Sequence, residues 1–211
     1  MKAIVVHQPG PPEVLCYEEI PTPAVRPGWS LVKVQAVGVN RSEIFTRQGL
    51  SPTVTFPRIL GIECVGVVAD STTPTLVPGQ KVAALMGGMG REFDGGYAEY
   101  VLLPNDRIWP VHTSLTWEEF GAVPETFVTA LGSIKQLRLR ADSRLLVRAA
   151  TSGVGVATIQ LVRALYPNAV IVGTTRKESK FDTLKALGCD EVILEEAQNV
   201  IHSDEKFDCV L

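Results

Sequence analysis

The strongest constraint on this chain is the way its apolar residues change period after about Pro124. "RLLVRAA" (144–150) is a short run of Leu and Val, "TSG" interrupts it, "VGVATIQLVRALY" carries apolar residues at helical spacing (Val154, Ala157, Leu161, Val162, Leu165), and "AVIVGTT" (169–175) returns to a β-branched run. Two strands separated by a helix and two short links run parallel, with a right-handed crossover. The alternation extends both ways, with a helix at "ETFVTALGSIKQL" before it and, after it, a helix at "KESKFDTLKALG", a strand at "EVILE" and a last apolar run at "FDCVL" (207–211). Residues 125–211 are therefore expected to form a parallel sheet covered by helices.

The preceding residues, 1–124, read differently. "KAIVVH" (2–7) and "SLVKVQAVGV" (30–39) are β-rich, and the second sets Leu31, Lys33 and Gln35 against Val32, Val34 and Ala36 in strict alternation. The three prolines and the glycine of "IPTPAVRPGW" (20–29) forbid a helix between them. Further strands are expected at "ECVGVVAD", "QKVAALM" and "YAEYVLLP", which makes the first domain a β-barrel or sandwich and the whole chain α/β.

A formal charge of -3 with no basic run speaks against nucleic-acid binding. Pro, Gly or a charge interrupts every apolar stretch short of the about 20 residues a membrane helix needs, so no membrane role is expected. Four scattered cysteines and no leader-like start suggest reduced thiols in a cytoplasmic protein.

The turn A-x-x-S-G-x-G, Ala149 to Gly155, sits where a dinucleotide-binding turn would. Gly153 and Gly155 would let the backbone approach a pyrophosphate, and the amides of Ser152, Gly153, Val154 and Gly155 would meet it at the positive end of the helix dipole. The alternative is a plain corner that needs residues without a Cβ simply to turn. The end of the next strand adds to the first reading. An NAD site usually places an acid there, whereas this chain has Thr174, Thr175, Arg176, Lys177 and Lys180, which suit the 2′-phosphate of NADPH. Taken singly, each cation is equally explained as part of an exposed helix start.

"VGVNRSEIFTRQG" (37–49), "LGIECVGVV" (60–68), "DGGYAEYVLLP" (94–104), "PETFVTALGSI" (124–134) and "AATSGVGVATIQLVRA" together resemble the medium-chain dehydrogenase/reductase superfamily, and within it the zinc-independent quinone oxidoreductase and enoyl reductase branch. The resemblance implies a GroES-like β domain at 1–124 and a partial Rossmann domain at 125–211, with substrate bound in the cleft between them. It implies hydride delivery from NADPH to a quinone or an activated C=C, with Asn40 lining the nicotinamide and substrate region and Thr126 and Thr129 near the cofactor. Asn40 is equally suited to capping a following helix. Tyr97 and Arg47 are weaker candidates, since aromatics in strands usually pack and arginines are usually solvated.

Zinc-dependent relatives carry Cys where this chain has Asn40 and His within the motif that here reads Gly61, Ile62, Glu63. An amide and an isoleucine do not replace a thiolate and an imidazole, and His7, His112 and His202 are far apart, so no metal is expected. No Ser/His/Asp arrangement or close carboxylate pair points to hydrolysis. Relatives in this family run longer and use the later region to hold nicotinamide and to form dimers. The resemblance thus implies a homodimer where that region is present. It leaves as the alternative a non-catalytic remnant that binds a nucleotide or a partner.

Overall fold

The computed structural model describes residues 1–195, 201 and 205–211. They form two compact units, Met1–Glu125 and Thr126–Leu211.

In the first unit, β1 (Lys2–Val6), β2 (Leu15–Glu19) and β3 (Trp29–Ala36) precede a short helix, α1 (Arg41–Arg47). There follow β4 (Arg58–Ile59), β5 (Glu63–Ser71), β6 (Lys81–Leu85), β7 (Tyr100–Pro104), β8 (Trp109–Pro110) and α2 (Trp117–Gly121). The strands make two antiparallel sheets, β2-β1-β4 and β7-β3-β5-β6-β8. The larger sheet carries the main core, with Val32, Cys64, Val68, Val82, Val101 and Leu103 all at 2 % exposure or less. Each such aliphatic contributes about 1.5–3 kcal/mol by leaving water. The sequence alternation in β3 holds only in its second half, because Ser30, Leu31 and Val32 are all buried.

The second unit contains most of α3 (Pro124–Leu137), then β9 (Arg144–Val147), α4 (Gly153–Leu165), β10 (Val170–Thr175), α5 (Phe181–Leu187), β11 (Glu191–Leu194) and β12 (Cys209–Val210). Its sheet has the order β11-β10-β9-β12 with every pair parallel. In order of appearance this is 3-2-1-4, the first half of a doubly wound nucleotide-binding sheet. The buried residues of α4 are Gly155, Ala157, Thr158, Ile159 and Val162. That face is rotated from the one the sequence suggests: Leu165 is 54 % exposed and Ile159 is fully buried. Helix α5 stops at Gly188, whose φ of +119° is a left-handed cap that favours glycine.

Candidate functional site

The turn after β9 is built on a residue with a backbone conformation unusual for its type. Ala149 has φ +48°, a left-handed geometry that costs a residue with a Cβ about 1–2 kcal/mol. Three hydrogen bonds hold the segment there: Ala149 N–H to Thr174 Oγ1 at 3.1 Å, Ala150 N–H to the Thr174 carbonyl at 3.0 Å, and Ser152 N–H to the Ala149 carbonyl at 2.8 Å. The chain then enters α4 with Ser152 as N-cap, its Oγ accepting from Gly155 N–H at 3.0 Å. The amides of Gly153 and Val154 open the helix and have no partner within it.

This divides the predicted phosphate cradle. Gly153 is exposed, and a Cβ there would stand 3.1 Å from the Thr126 methyl, so Thr126 does lie beside the turn. Thr129 is exposed further along α3. Gly155 does not offer a close approach to a ligand. It is buried, its amide is held by Ser152, and a Cβ would sit 2.7 Å from the Ala149 carbonyl oxygen and 2.8 Å from Ala150 backbone atoms. Its missing side chain is required by the packing of the helix on the turn.

Beyond the end of β10 lies a cavity of about 300 Å³ lined by Thr151, Thr175, Arg176, Lys177, Lys180 and Thr183. Arg176, Lys177 and Lys180 are exposed around it, so the structure gathers the three cations the sequence singled out. Thr174 is not among these groups. Its side chain is fully buried, and its hydroxyl accepts from Ala149 N–H and donates to Glu195 at 3.1 Å. Thr175 is 4 % exposed, with its hydroxyl accepting from Lys177 N–H at 3.3 Å. Glu195, beside the end of β11, also pairs with Arg148 at 3.1 Å.

A second set of polar groups lies in the first unit around Asn40. Asn40 heads α1 in a capping box: the Glu43 carboxylate returns to Asn40 N–H at 2.7 Å, and the Asn40 side chain faces the Glu43 amide. That amide's hydrogen bond goes to the Asn40 backbone carbonyl at 3.1 Å, and the Asn40 side chain itself makes no cap bond. The Asn40 Nδ2 donates to Glu63 Oε1 at 2.7 Å, and Glu63 Oε2 accepts from Glu125 N–H at 2.8 Å. Glu43 accepts from Ile62 N–H at 2.8 Å and from the Tyr97 hydroxyl.

The sequence showed no carboxylate pair because the two acids are 20 positions apart; the fold buries both, Glu43 at 5 % and Glu63 at 2 % exposure, on either side of Asn40. Burial pushes the Glu63 carboxyl above the usual carboxylate range, against the pull of its bonds to Asn40 and the Glu125 amide. Burial likewise raises the Tyr97 hydroxyl, helped by its bond to Glu43. The neighbouring Cys64 thiol is pushed up to about 12, first by burial and then by Glu63, and is no nucleophile at neutral pH.

These groups border a cavity of about 290 Å³ whose walls are Ile4, Leu15, Val37, Val39, Ile44 and Leu60, with Asn40, Glu43, Arg47 and Tyr97 as its polar members. Arg47 is 8 % exposed, not solvated as an arginine usually is, and its Nη1 has no hydrogen-bond partner among the described residues. Gly90 and Gly95 of loop 85–96 are held against neighbouring backbone. Gly61 has φ +103°, and Cβ atoms at Gly61, Gly90 or Gly95 would come within 2.8 Å of the facing backbone.

Among the described residues no three His, Cys, Asp or Glu side chains come together to hold a metal ion. His7 bonds Glu18 at 2.6 Å, His112 is exposed, and His202 lies outside the described residues. No described helix is long and apolar enough to cross a membrane.

An antiparallel β unit followed by a parallel 3-2-1-4 sheet with a capped helix start is the architecture of a GroES-like domain joined to a Rossmann-like nucleotide-binding domain. Residues 26–113 match the alcohol dehydrogenase GroES-like domain. Among curated proteins the chain is similar to the quinone oxidoreductase of Mus musculus, 32% identical over 95% of this chain and 60% of that protein. It is also similar to the trans-enoyl reductase tndF of Aspergillus flavipes, 28% identical over 95% of this chain and 61% of that protein. A solved structure, the quinone oxidoreductase from Thermus thermophilus with its NADPH complex, superposes with a TM-score of 0.76 at 32% identity, covering 91% of this chain and 59% of that one. In sequence and in fold the chain is similar to members of the medium-chain dehydrogenase/reductase superfamily, and it spans about 60% of the length of these curated relatives.

Proposed function

We propose that this chain is the β domain and the first cofactor-binding half of an NADPH-dependent oxidoreductase that reduces a quinone or an activated C=C without zinc. The observation that carries the reading is the cavity at the end of β10, where Arg176, Lys177 and Lys180 converge and the strand's own last residues, Thr174 and Thr175, are not acids. Positive charge there favours a 2′-phosphate, and an acid there would repel it. The amides of Gly153 and Val154, beside Thr126, fit the diphosphate at the head of α4. The Thermus relative with its NADPH complex supports the same choice.

NADPH, when bound, supplies the hydride; the chain's residues supply orientation and polarity. The cavity beside Asn40 has the apolar walls expected for a small carbonyl compound. Its polar members include the donors an oxyanion needs as charge develops on oxygen. The zinc-free reading is supported by the donor set, because Asn40 and Ile62 stand where zinc-dependent relatives carry Cys and His. Dimerisation through the region that longer relatives possess, and a cytoplasmic setting, belong to the same proposal.

The test is titration with NADPH and NADH by nicotinamide fluorescence, followed by turnover with a simple quinone and a simple enone. Tighter NADPH binding with turnover of either acceptor is expected. Equal affinity for both cofactors would overturn the NADPH assignment, and tight binding without turnover would leave a nucleotide-binding module in its place.

A further inference from the structure

An acid does lie beside the end of β10, on the neighbouring strand. Glu195 follows β11, and its backbone N–H donates to the Thr175 carbonyl at 2.8 Å. That bond sets it level with the last residue of β10, one strand spacing of about 4.8 Å away. Its carboxylate turns back over the sheet: Glu195 Oε1 accepts from Arg148 Nε at 3.2 Å, from Arg148 Nη2 at 3.1 Å and from the Thr174 hydroxyl at 3.1 Å. Arg148 stands just past β9, Thr174 within β10 and Glu195 just past β11, so the three residues bridge the carboxyl ends of three adjacent parallel strands. A doubly wound sheet receives its nucleotide at those ends.

Charge decides what the bridge does there. The Glu195 side chain is 6 % exposed, so water and salt screen its carboxylate poorly, and alone it would oppose a phosphate held at the next strand end. Thr174 offers a neutral hydroxyl, which satisfies the carboxylate without cancelling its charge. Arg148 does cancel it, through two N–H bonds to the same oxygen, and an arginine stays charged at any working pH. The charge of Arg176, Lys177 and Lys180 around the cavity is then left to a ligand.

We propose that the Arg148–Glu195 pair tunes the cofactor preference of this site: Arg148 neutralises an acid that would otherwise disfavour the 2′-phosphate, so that loss of Arg148 alone turns the site toward NADH. The inference rests on reading the head of α4 and the cavity beyond β10 as one dinucleotide site. Arg148 acts only through Glu195, and neither residue is assigned a contact with the cofactor. The effect is separable from simple support of the fold. NADPH and NADH share every group except the 2′-phosphate, so a loosened sheet end weakens both alike, whereas an unmasked charge acts on NADPH.

The experiment titrates the full chain and its variants with NADPH and NADH by nicotinamide fluorescence and compares the ratio of the two affinities. Arg148→Met should lower the NADPH-to-NADH ratio about tenfold, with NADH affinity within about twofold of wild type. Glu195→Gln, which removes the acid and leaves the arginine, should raise the ratio about threefold or more, and it keeps the test in force if the first variant does not fold. The double variant Arg148→Met/Glu195→Gln should return the ratio to within about twofold of wild type, because no charge is left unmasked. Equal weakening of both cofactors by Arg148→Met, an unchanged ratio in Glu195→Gln, or a double variant no better than Arg148→Met would overturn the inference and leave the dinucleotide site standing. If neither cofactor binds the wild-type chain, the site reading itself falls and takes the inference with it.

Discussion

The polar groups of the two units are arranged in opposite ways. Around Asn40 the polar atoms are buried, paired with one another and set into an apolar wall, so few hydrogens are left for a ligand and their direction is fixed in advance. At the end of β10 the groups are exposed cations on long side chains, whose attraction depends on charge more than on geometry. The first site should be insensitive to salt and sensitive to the loss of a single atom; the second should behave the other way.

The largest effect that would break this comparison is expected at Gly61. Gly61→Ala would combine a left-handed φ with contacts of 2.7 and 2.8 Å to the backbone of Gly96 and Tyr97. The overlap and the strain together should cost about 3 kcal/mol or more in denaturant unfolding. Unfolding within about 1 kcal/mol of wild type would show that the loop is not pinned.

Gly155→Ala comes next. The overlap with Ala149 and Ala150 outweighs the gain of about 1 kcal/mol in helix propensity, leaving a net loss of about 2 kcal/mol together with weaker cofactor binding. Arg176→Glu sharpens the contrast in the second unit: it should weaken NADPH at least about tenfold, leave NADH nearly unchanged and flatten the salt dependence of NADPH affinity. Ser152→Ala removes one cap and should cost about 1 kcal/mol, read by thermal unfolding of the second unit.

The smallest effect is a slope. Because the Glu63 carboxyl is raised in the folded state, the folded chain holds its proton where the unfolded chain has lost it. Its contribution to stability therefore declines as pH rises from the ordinary carboxylate range through the raised value. The stability difference between wild type and Glu63→Gln should shift against wild type over that interval, and a flat difference would show that Glu63 is ionised as in water.

What could be read from the residues follows from which forces are local. The parallel sheet was legible because its strands and helices each carry their own apolar period, and Arg176, Lys177 and Lys180 were legible because a strand end without an acid is a local fact. Helix α1 was legible only through its cap residue, Asn40, since seven residues with exposed Ile44 and Phe45 carry no apolar stripe. Thr174 misled because a hydroxyl at a strand end looks available; the fold turns it inward to hold Ala149. The Glu43–Asn40–Glu63 set was out of reach, because β5 brings Glu63 to Asn40 across 23 positions and Gly38 clears the space for it.

The central claim is that the head of α4 and the cations beyond β10 form one dinucleotide site. A backbone-amide NMR titration of the chain with NADPH and then with NADH tests it most directly. Gly153 and Val154 should move with both cofactors, and Arg176, Lys177 and Lys180 should move appreciably only with NADPH. If saturating NADPH left Gly153 and Val154 where they were, the turn would be a corner and nothing more.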